Sequence, residues 1–190
     1  MIYLVRHGES EANINKKFCG ITDVKLSLRG KEQAALAGRR LKHENISNIY
    51  ASPLIRASIT AKIIGSEIGF EESKIKTERC LAEVNFGLFE NMTWEEITAS
   101  YVKEAEDWMA VQHKFKFPQG ESYTDIIARI SEFIDNVPDN SLIVTHFGVI
   151  QAVLLYLGIA DDTNLWDFII SNCDILVLNN RKFVRIVKCS

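Results

Sequence analysis

Four short segments of this chain carry side chains able to bind and transfer an anion. The first is Arg6-His7-Gly8-Glu9-Ser10, followed by Asn13, where a guanidinium, an imidazole and a glycine stand side by side. Arg6 offers a planar fork of donors that matches phosphate oxygens, and Gly8 is expected to let the backbone come close to a ligand. Taken alone, the segment reads equally as an exposed loop that contains a histidine. The second is Ser52-Pro53-Leu54-Ile55-Arg56-Ala57, which puts Arg56 in the first turns of an expected helix. Free backbone N–H groups and the helix dipole already favour an anion there. The third, Thr145-His146-Phe147-Gly148, supplies another histidine and glycine, and the fourth, Leu81-Ala82-Glu83-Val84, a lone carboxylate among apolar neighbours. On their own, Arg56 reads as a solvated helix charge, His146 as a structural histidine and Glu83 as a surface acid.

The elements that must position these groups follow from hydrophobic pattern. Ile2 to Val5 is a short apolar run that stops at Arg6, the mark of a buried strand, and Leu142-Ile143-Val144 within Ser141 to Thr145 is a second. Ser47 to Ala51 reads as a further strand, Lys76 to Cys80 as a weaker one, and Asp174 to Val187 as a hairpin about Asn179, Asn180 and Arg181. Helical spacing places Ala34, Ala37 and Leu41 on one face of a helix from Gly30 to His43. Ser52 is the expected N-cap, and Pro53 the first-turn residue, of a helix reaching about Gly69. Ser122, with Asp125 three residues on, starts a helix whose stripe is Ile126, Ile130, Phe133 and Val137, and Val149 to Leu157 forms the last. Strands alternating with helices predict an α/β protein: a three-layer α/β/α sandwich with a mostly parallel central sheet. In such sheets ligands bind beyond the carboxyl ends of the strands, and His7 and His146 follow directly after the two clearest ones.

Composition narrows the classes. The chain has 190 residues, 47% of them hydrophobic, which supports one core and one domain over 1–190. A formal charge of -3 without blocks of like sign points to neither nucleic acid nor a membrane surface. Met1 to Val5 is too short for a signal peptide and no apolar stretch is long enough to span a bilayer, so a cytoplasmic protein is expected. Cys19, Cys80, Cys173 and Cys189 lie far apart without metal-site spacing and read as reduced thiols. No pattern indicates an oligomeric state.

Together the segments resemble the histidine phosphatase superfamily, the branch that also contains cofactor-dependent phosphoglycerate mutases. The resemblance runs through Arg6-His7-Gly8-Glu9-Ser10, Asn13, Leu26-Ser27-Leu28-Arg29-Gly30 with Gln33-Ala34, Ser52-Pro53 with Arg56-Ala57 and Thr60-Ala61, Glu83 before Phe86-Gly87, and Thr145-His146. It implies that His7 is the nucleophile, that Arg6, Arg56 and His146 bind phosphate with Asn13 as a further contact, and that Glu83 donates the proton. It implies a metal-independent phosphomonoester hydrolase with no cofactor, acting on a small-molecule phosphomonoester through a phosphohistidine. Gly20, in the loop that borders the site, and Phe147 are expected on the substrate side.

Two departures bear on the substrate: Asn91 stands where glycine is frequent, and Phe147 replaces a small residue. The chain lacks the extra sequence that mutases carry before the second histidine, which favours a phosphatase. Glu90-Asn91-Met92-Thr93-Trp94-Glu95-Glu96-Ile97, Trp108 and Phe117-Pro118-Gln119-Gly120-Glu121-Ser122 resemble the bacterial alpha-ribazole phosphatase group, which implies alpha-ribazole 5'-phosphate as substrate. A broad-specificity or sugar-phosphate phosphatase, a phosphoglycerate mutase, and a non-catalytic phosphate-binding module are the alternatives. A small helical cap is expected within 88–120. There Met92, Trp94, Tyr101, Trp108, Phe115 and Phe117 either roof the site or, as helical spacing favours, form a small core. Cys19 is expected to be an inert buried thiol, or an oxidation-sensitive one if nearby cations stabilise its thiolate.

Overall fold

The computed structural model describes residues 1–189. In chain order the elements are β1 (Ile2–Arg6), α1 (Glu11–Ile14), α2 (Leu28–Leu41), β2 (Asn48–Ala51), α3 (Ile55–Ile68) and β3 (Lys76–Thr77). After them come α4 (Trp94–Ser100), α5 (Val102–Val111), α6 (Tyr123–Asn136), β4 (Ser141–Thr145), α7 (Phe147–Tyr156), β5 (Ile175–Asn179) and β6 (Lys182–Val187). The six strands form one sheet in the order β3-β2-β4-β1-β5-β6. The pairs β3–β2, β2–β4 and β4–β1 are parallel, whereas β1–β5 and β5–β6 are antiparallel. The mostly parallel sheet is therefore confirmed, with the expected hairpin as its antiparallel margin.

Alternation along the central strands feeds a core on each face. Ile2, Leu4 and Ile143 pack with Ile126, Ile130, Ile134, Val149 and Val153 of α6 and α7. Tyr3, Val5, Leu142 and Val144 face the other way, onto Ala34, Ala37, Ala57, Ala61 and Ile64 of α2 and α3. Each fully buried aliphatic side chain contributes about 1.5–3 kcal/mol of burial free energy, so the two central strands are the most firmly held part of the fold. Their ends inherit that rigidity.

Several boundaries differ from expectation for local reasons. Helix α2 begins two residues earlier than the expected Gly30 because Ser27 caps it: the Ser27 hydroxyl accepts the Gly30 N–H at 2.9 Å. Helix α3 begins at Ile55, later than expected, with Leu54 at its N-cap and no side-chain cap; Ser52 lies two residues before the cap, and its hydroxyl accepts the Leu54 N–H at 3.3 Å. Only Lys76–Thr77 pairs as β3, and residues Arg79–Leu81 turn into a 3-10 helix. Helix α7 starts at Phe147, directly after His146. Among the described residues, no helix is long and apolar enough to cross a membrane.

Candidate active site

His7 follows β1 and His146 follows β4, and the parallel pairing of these strands sets Arg6 opposite Thr145. The two imidazoles consequently lie together, with ring centroids 5.1 Å apart. Both are almost fully buried. The His7 N–H donates to the Thr145 carbonyl at 2.9 Å, which ties the first site segment to the second strand.

The His7 ring has a defined tautomer. Nδ1 lies 2.7 Å from the Gly8 carbonyl, an acceptor only, so Nδ1 carries the hydrogen and Nε2 the lone pair. Arg56 Nε donates to that Nε2 at 3.3 Å. Burial first, then Arg56 and Arg6, push the His7 pKa well below the ordinary histidine range, so the ring is held neutral. The cations act in the expected direction, but desolvation is the larger cause.

Arg56, 1% exposed, sits in the first turn of α3. Its terminal nitrogens donate to the carbonyls of Cys19, Gly20 and Thr22 at 3.0, 2.7 and 2.9 Å. It is no solvated helix charge. Arg6 donates to the Ile170 carbonyl at 2.8 Å, and its guanidinium lies 5.3 Å over the Phe147 ring, while its buried Nε has no partner. Phe147 thus supports Arg6 as well as lining the cavity.

His146 Nε2 meets the Ser52 hydroxyl at 2.7 Å, and its buried Nδ1 has no partner. The same Ser52 hydroxyl accepts the Leu54 N–H at 3.3 Å, so one side chain joins the approach to α3 to the second histidine. Burial, then Arg56 and His7, lower the His146 pKa well below its usual range. Glu83 is 7% exposed, not a surface acid. Its carboxylate accepts the Val84 N–H at 2.9 Å and the Gly148 N–H at 3.4 Å. Desolvation nevertheless raises its pKa from the ordinary carboxylate value, against the pull of those N–H groups and of Arg56 and Arg6.

Arg6, His7, Asn13, Arg56, Glu83 and Phe147 all line one cavity of about 270 Å³. His146 lies against His7 rather than on the lining. The Asn13 Oδ1 is taken by the Ser10 N–H and hydroxyl, which leaves the amide nitrogen as its offer to an anion. Gly20 is not on the lining: it sits behind Arg56, where an added Cβ would come 1.8 Å from the Val84 carbonyl. Gly8 likewise serves backbone packing rather than a ligand, since its Cβ would lie 2.3 Å from the Gly30 carbonyl. Cys19 does line the cavity, but burial raises its thiol pKa more than Arg56 lowers it, which matches the inert reading. All four cysteines are free thiols.

Some participants carry no sequence signal. Asn172 donates to the His7 carbonyl at 2.9 Å and to Asn13 at 3.2 Å, from a turn far along the chain. Arg129 donates to Glu121 at 3.0 Å and to the Ala82 and Glu83 carbonyls, bracing the strip that presents Glu83. Beyond the anion-binding end the lining is largely aromatic: Phe18, Phe86, Trp108, Phe117, Tyr123 and Trp166. Asn91, the departure from glycine, has φ +62°, a left-handed conformation that asparagine tolerates best among side-chain-bearing residues. Among the described residues, no group of three or more His, Cys, Asp or Glu is arranged to hold a metal ion.

A family model described as "Histidine phosphatase superfamily (branch 1)" matches residues 2–186. Phosphoserine phosphatase 1 of Hydrogenobacter thermophilus is 32% identical over 94% of this chain and 85% of its own length. The human 6-phosphofructo-2-kinase/fructose-2,6-bisphosphatase 1 is 33% identical over 82% of this chain, which spans only 32% of that larger protein. The crystal structure of the alpha-ribazole phosphatase from Shigella flexneri superposes with a TM-score of 0.83, covering 98% of this chain and 95% of its own, at 23% identity. That last likeness is one of fold.

Proposed function

The chain belongs to the histidine phosphatase superfamily, and from that premise we propose that it hydrolyses phosphomonoesters without a metal, His7 carrying the phosphoryl group as a phosphohistidine. The observation that carries this reading is the His7 ring: neutral, hydrogen-bonded through Nδ1, and presenting Nε2 beside a guanidinium. Nε2 attacks phosphorus, the N–P bond forms as the bond to the leaving oxygen breaks, and Glu83, whose burial favours the acid form, gives its proton to that oxygen. Arg6, Arg56 and His146 supply donors to the equatorial oxygens, the charge stabilisation this transfer requires. Water then attacks the phosphohistidine, Glu83 takes its proton, and the N–P bond breaks to release phosphate and restore His7. A bound phosphoryl dianion raises the Glu83 pKa further and so favours the acid form at the first step.

The finer reading is alpha-ribazole 5'-phosphate as substrate. The aromatic outer lining suits a flat ring by stacking. Glu83 is the single carboxylate on the lining, so the ammonium of a phosphoserine would find no other, and a second phosphate would find Lys17 as its additional lysine or arginine. A broad-specificity phosphatase shares this chemistry and differs in the ranking of substrates. The test assays purified protein in chelator against alpha-ribazole 5'-phosphate, phosphoserine, 3-phosphoglycerate and p-nitrophenyl phosphate, beside His7→Ala. Metal-dependent turnover that survives His7→Ala sinks the mechanism; preference for phosphoserine sinks the substrate; isomerisation of phosphoglycerate at comparable rates makes it a mutase.

A further inference from the structure

Glu90 closes the segment Phe86-Gly87-Leu88-Phe89-Glu90 and does not line the cavity, yet its carboxylate is among the most heavily hydrogen-bonded groups near it. It accepts the N–H groups of Gly20 at 3.1 Å, Ile21 at 3.1 Å, Thr22 at 3.4 Å and Phe86 at 3.0 Å, and the Thr22 hydroxyl at 2.7 Å. With these amides turned toward Glu90, the carbonyls of Cys19, Gly20 and Thr22 turn the other way, and all three accept from Arg56. Arg56 in turn reaches His7 Nε2. A carboxylate at the amide side of the loop and a guanidinium at its carbonyl side each make charge-assisted hydrogen bonds, roughly twice as strong as neutral ones.

We propose that Glu90 is a positioning residue: it fixes the 19–22 loop, and the loop's carbonyls hold the Arg56 guanidinium in register with His7 and the phosphoryl group. Three of the four terminal N–H groups of Arg56 are committed to this loop, so the guanidinium goes where the loop goes. Loss of the carboxylate frees the amides at one side and lets the carbonyls at the other drift. Misplacement of a stabilising group by about 1 Å costs on the order of 100-fold in rate. The inference rests on Arg56 being a phosphate-binding group, as the phosphatase reading has it.

A double-mutant cycle on the full-length protein tests it. Glu90→Gln keeps the shape but turns an amide NH2 toward N–H donors, and is expected to lower kcat about 10- to 100-fold while the far-UV circular dichroism stays native. In an Arg56→Ala background the same change is expected to cost less than about 2-fold, because the group it positions is already gone. Thr22→Val, which removes one donor to Glu90 and leaves the carboxylate, is expected to give a smaller loss of kcat with the same dependence on Arg56, and serves if Glu90→Gln does not fold. Equal fold-losses in both backgrounds overturn the proposal and leave the phosphatase reading standing. Arg56→Ala with intact turnover overturns the role given to Arg56, and the positioning role of Glu90 with it.

Discussion

The two ends of the cavity are built from different materials in different ways. At the inner end, His7, His146 and Arg56 hang from the ends of β1 and β4 and the first turn of α3, each held by a backbone feature of the central sheet or a helix start. At the outer end, Phe18, Phe86, Trp108 and Phe117 come from loops and from α5 and pack on one another, with Trp166 beside them on the lining. Phe18 meets Phe86 at 5.4 Å and Trp108 at 5.1 Å, and Trp108 meets Phe117 at 4.9 Å. A geometry fixed by the sheet suits a reaction that tolerates little displacement, whereas a mutually packed aromatic wall suits discrimination among leaving groups. Of the six residues expected either to roof the site or to form a core, Trp108 and Phe117 do both, whereas Met92, Trp94, Tyr101 and Phe115 pack in or against the core away from the lining. Phe117 is 2% exposed and belongs to the main core, yet one side of it faces the cavity.

This contrast predicts that substitutions at the inner end strike rate and those at the outer end strike stability or selectivity. The largest effect belongs to His7→Ala, which removes the attacking nitrogen and is expected to lower kcat on the order of 10⁴-fold or more against every phosphomonoester. Rapid-quench labelling with a phosphorus-32 ester is expected to show acid-labile phosphoenzyme in the native protein and none in the variant. Label retained without His7 breaks the assignment.

Glu83→Gln separates two steps within the inner end. An amide cannot protonate the leaving oxygen, so turnover of alkyl phosphomonoesters is expected to fall about 10²- to 10⁴-fold, and that of p-nitrophenyl phosphate, whose phenolate leaves unaided, far less. The pH profile follows from the two shifts. His7, depressed, stays neutral and competent below the ordinary histidine range, while activity falls as pH rises through the raised Glu83 value, and Gln at this position abolishes that alkaline limb. Stability runs in the same direction with pH at this residue, although the substitution acts oppositely on rate and on stability. The raised pKa makes Glu83 favour folding below the ordinary carboxylate value, a contribution lost as pH rises through the folded value, so Glu83→Gln is expected to raise Tm at neutral pH. For His7 and His146 the depressed values mean stability is lost as pH falls below the ordinary histidine range. A thermal melt series over pH checks both signs.

The same contrast explains which of these features the amino-acid sequence discloses. Apolar runs that stop at Arg6 and Thr145 mark buried strands, and the topology of a parallel sheet brings their ends together, so the meeting of His7 with His146 was legible. Ser52 was not, because Ser-Pro is an ordinary helix start and only tertiary structure offers its hydroxyl to an imidazole 94 residues on. Glu90 and Asn172 were silent for a related reason: their partners are backbone groups of distant loops, which have no residue type to recognise. Gly8 marks a close approach, but the approaching atoms are the Gly30 backbone rather than a ligand, and Gly20, expected on the substrate side, packs against the Val84 carbonyl instead. At the outer end, an aromatic at helical spacing looks the same whether its exposed edge faces water or a cavity.

Phe89→Ala probes the aromatic region without touching the lining. Phe89 is 0% exposed and stacks with Trp108 at 6.0 Å and Phe115 at 6.3 Å. Its loss is expected to cost about 3–5 kcal/mol of stability by denaturant titration, with kcat per folded molecule within a few-fold of native. A collapse of kcat at full stability would erase the distinction between the two ends.

The smallest effect is the sharpest test of the outer end. Trp166 is 45% exposed at the cavity mouth, and its indole Nε1 donates to Gln112 Oε1 at 2.5 Å, which joins the 3-10 turn Leu165–Asp167 to the end of α5. Being half in solvent, it contributes little to folding, so Trp166→Ala is expected to shift stability by less than about 1 kcal/mol. An aromatic contact is worth about 0.5–1.5 kcal/mol, which corresponds to roughly 2- to 12-fold in KM for an aromatic ester such as 1-naphthyl phosphate. The rise for phosphoserine is expected to be smaller, since its alcohol half has no ring to present. Equal rises for both esters would mean that the mouth acts only as a steric rim, and selectivity would then have to come from the inner end, where the charged groups recognise phosphate and not the alcohol attached to it.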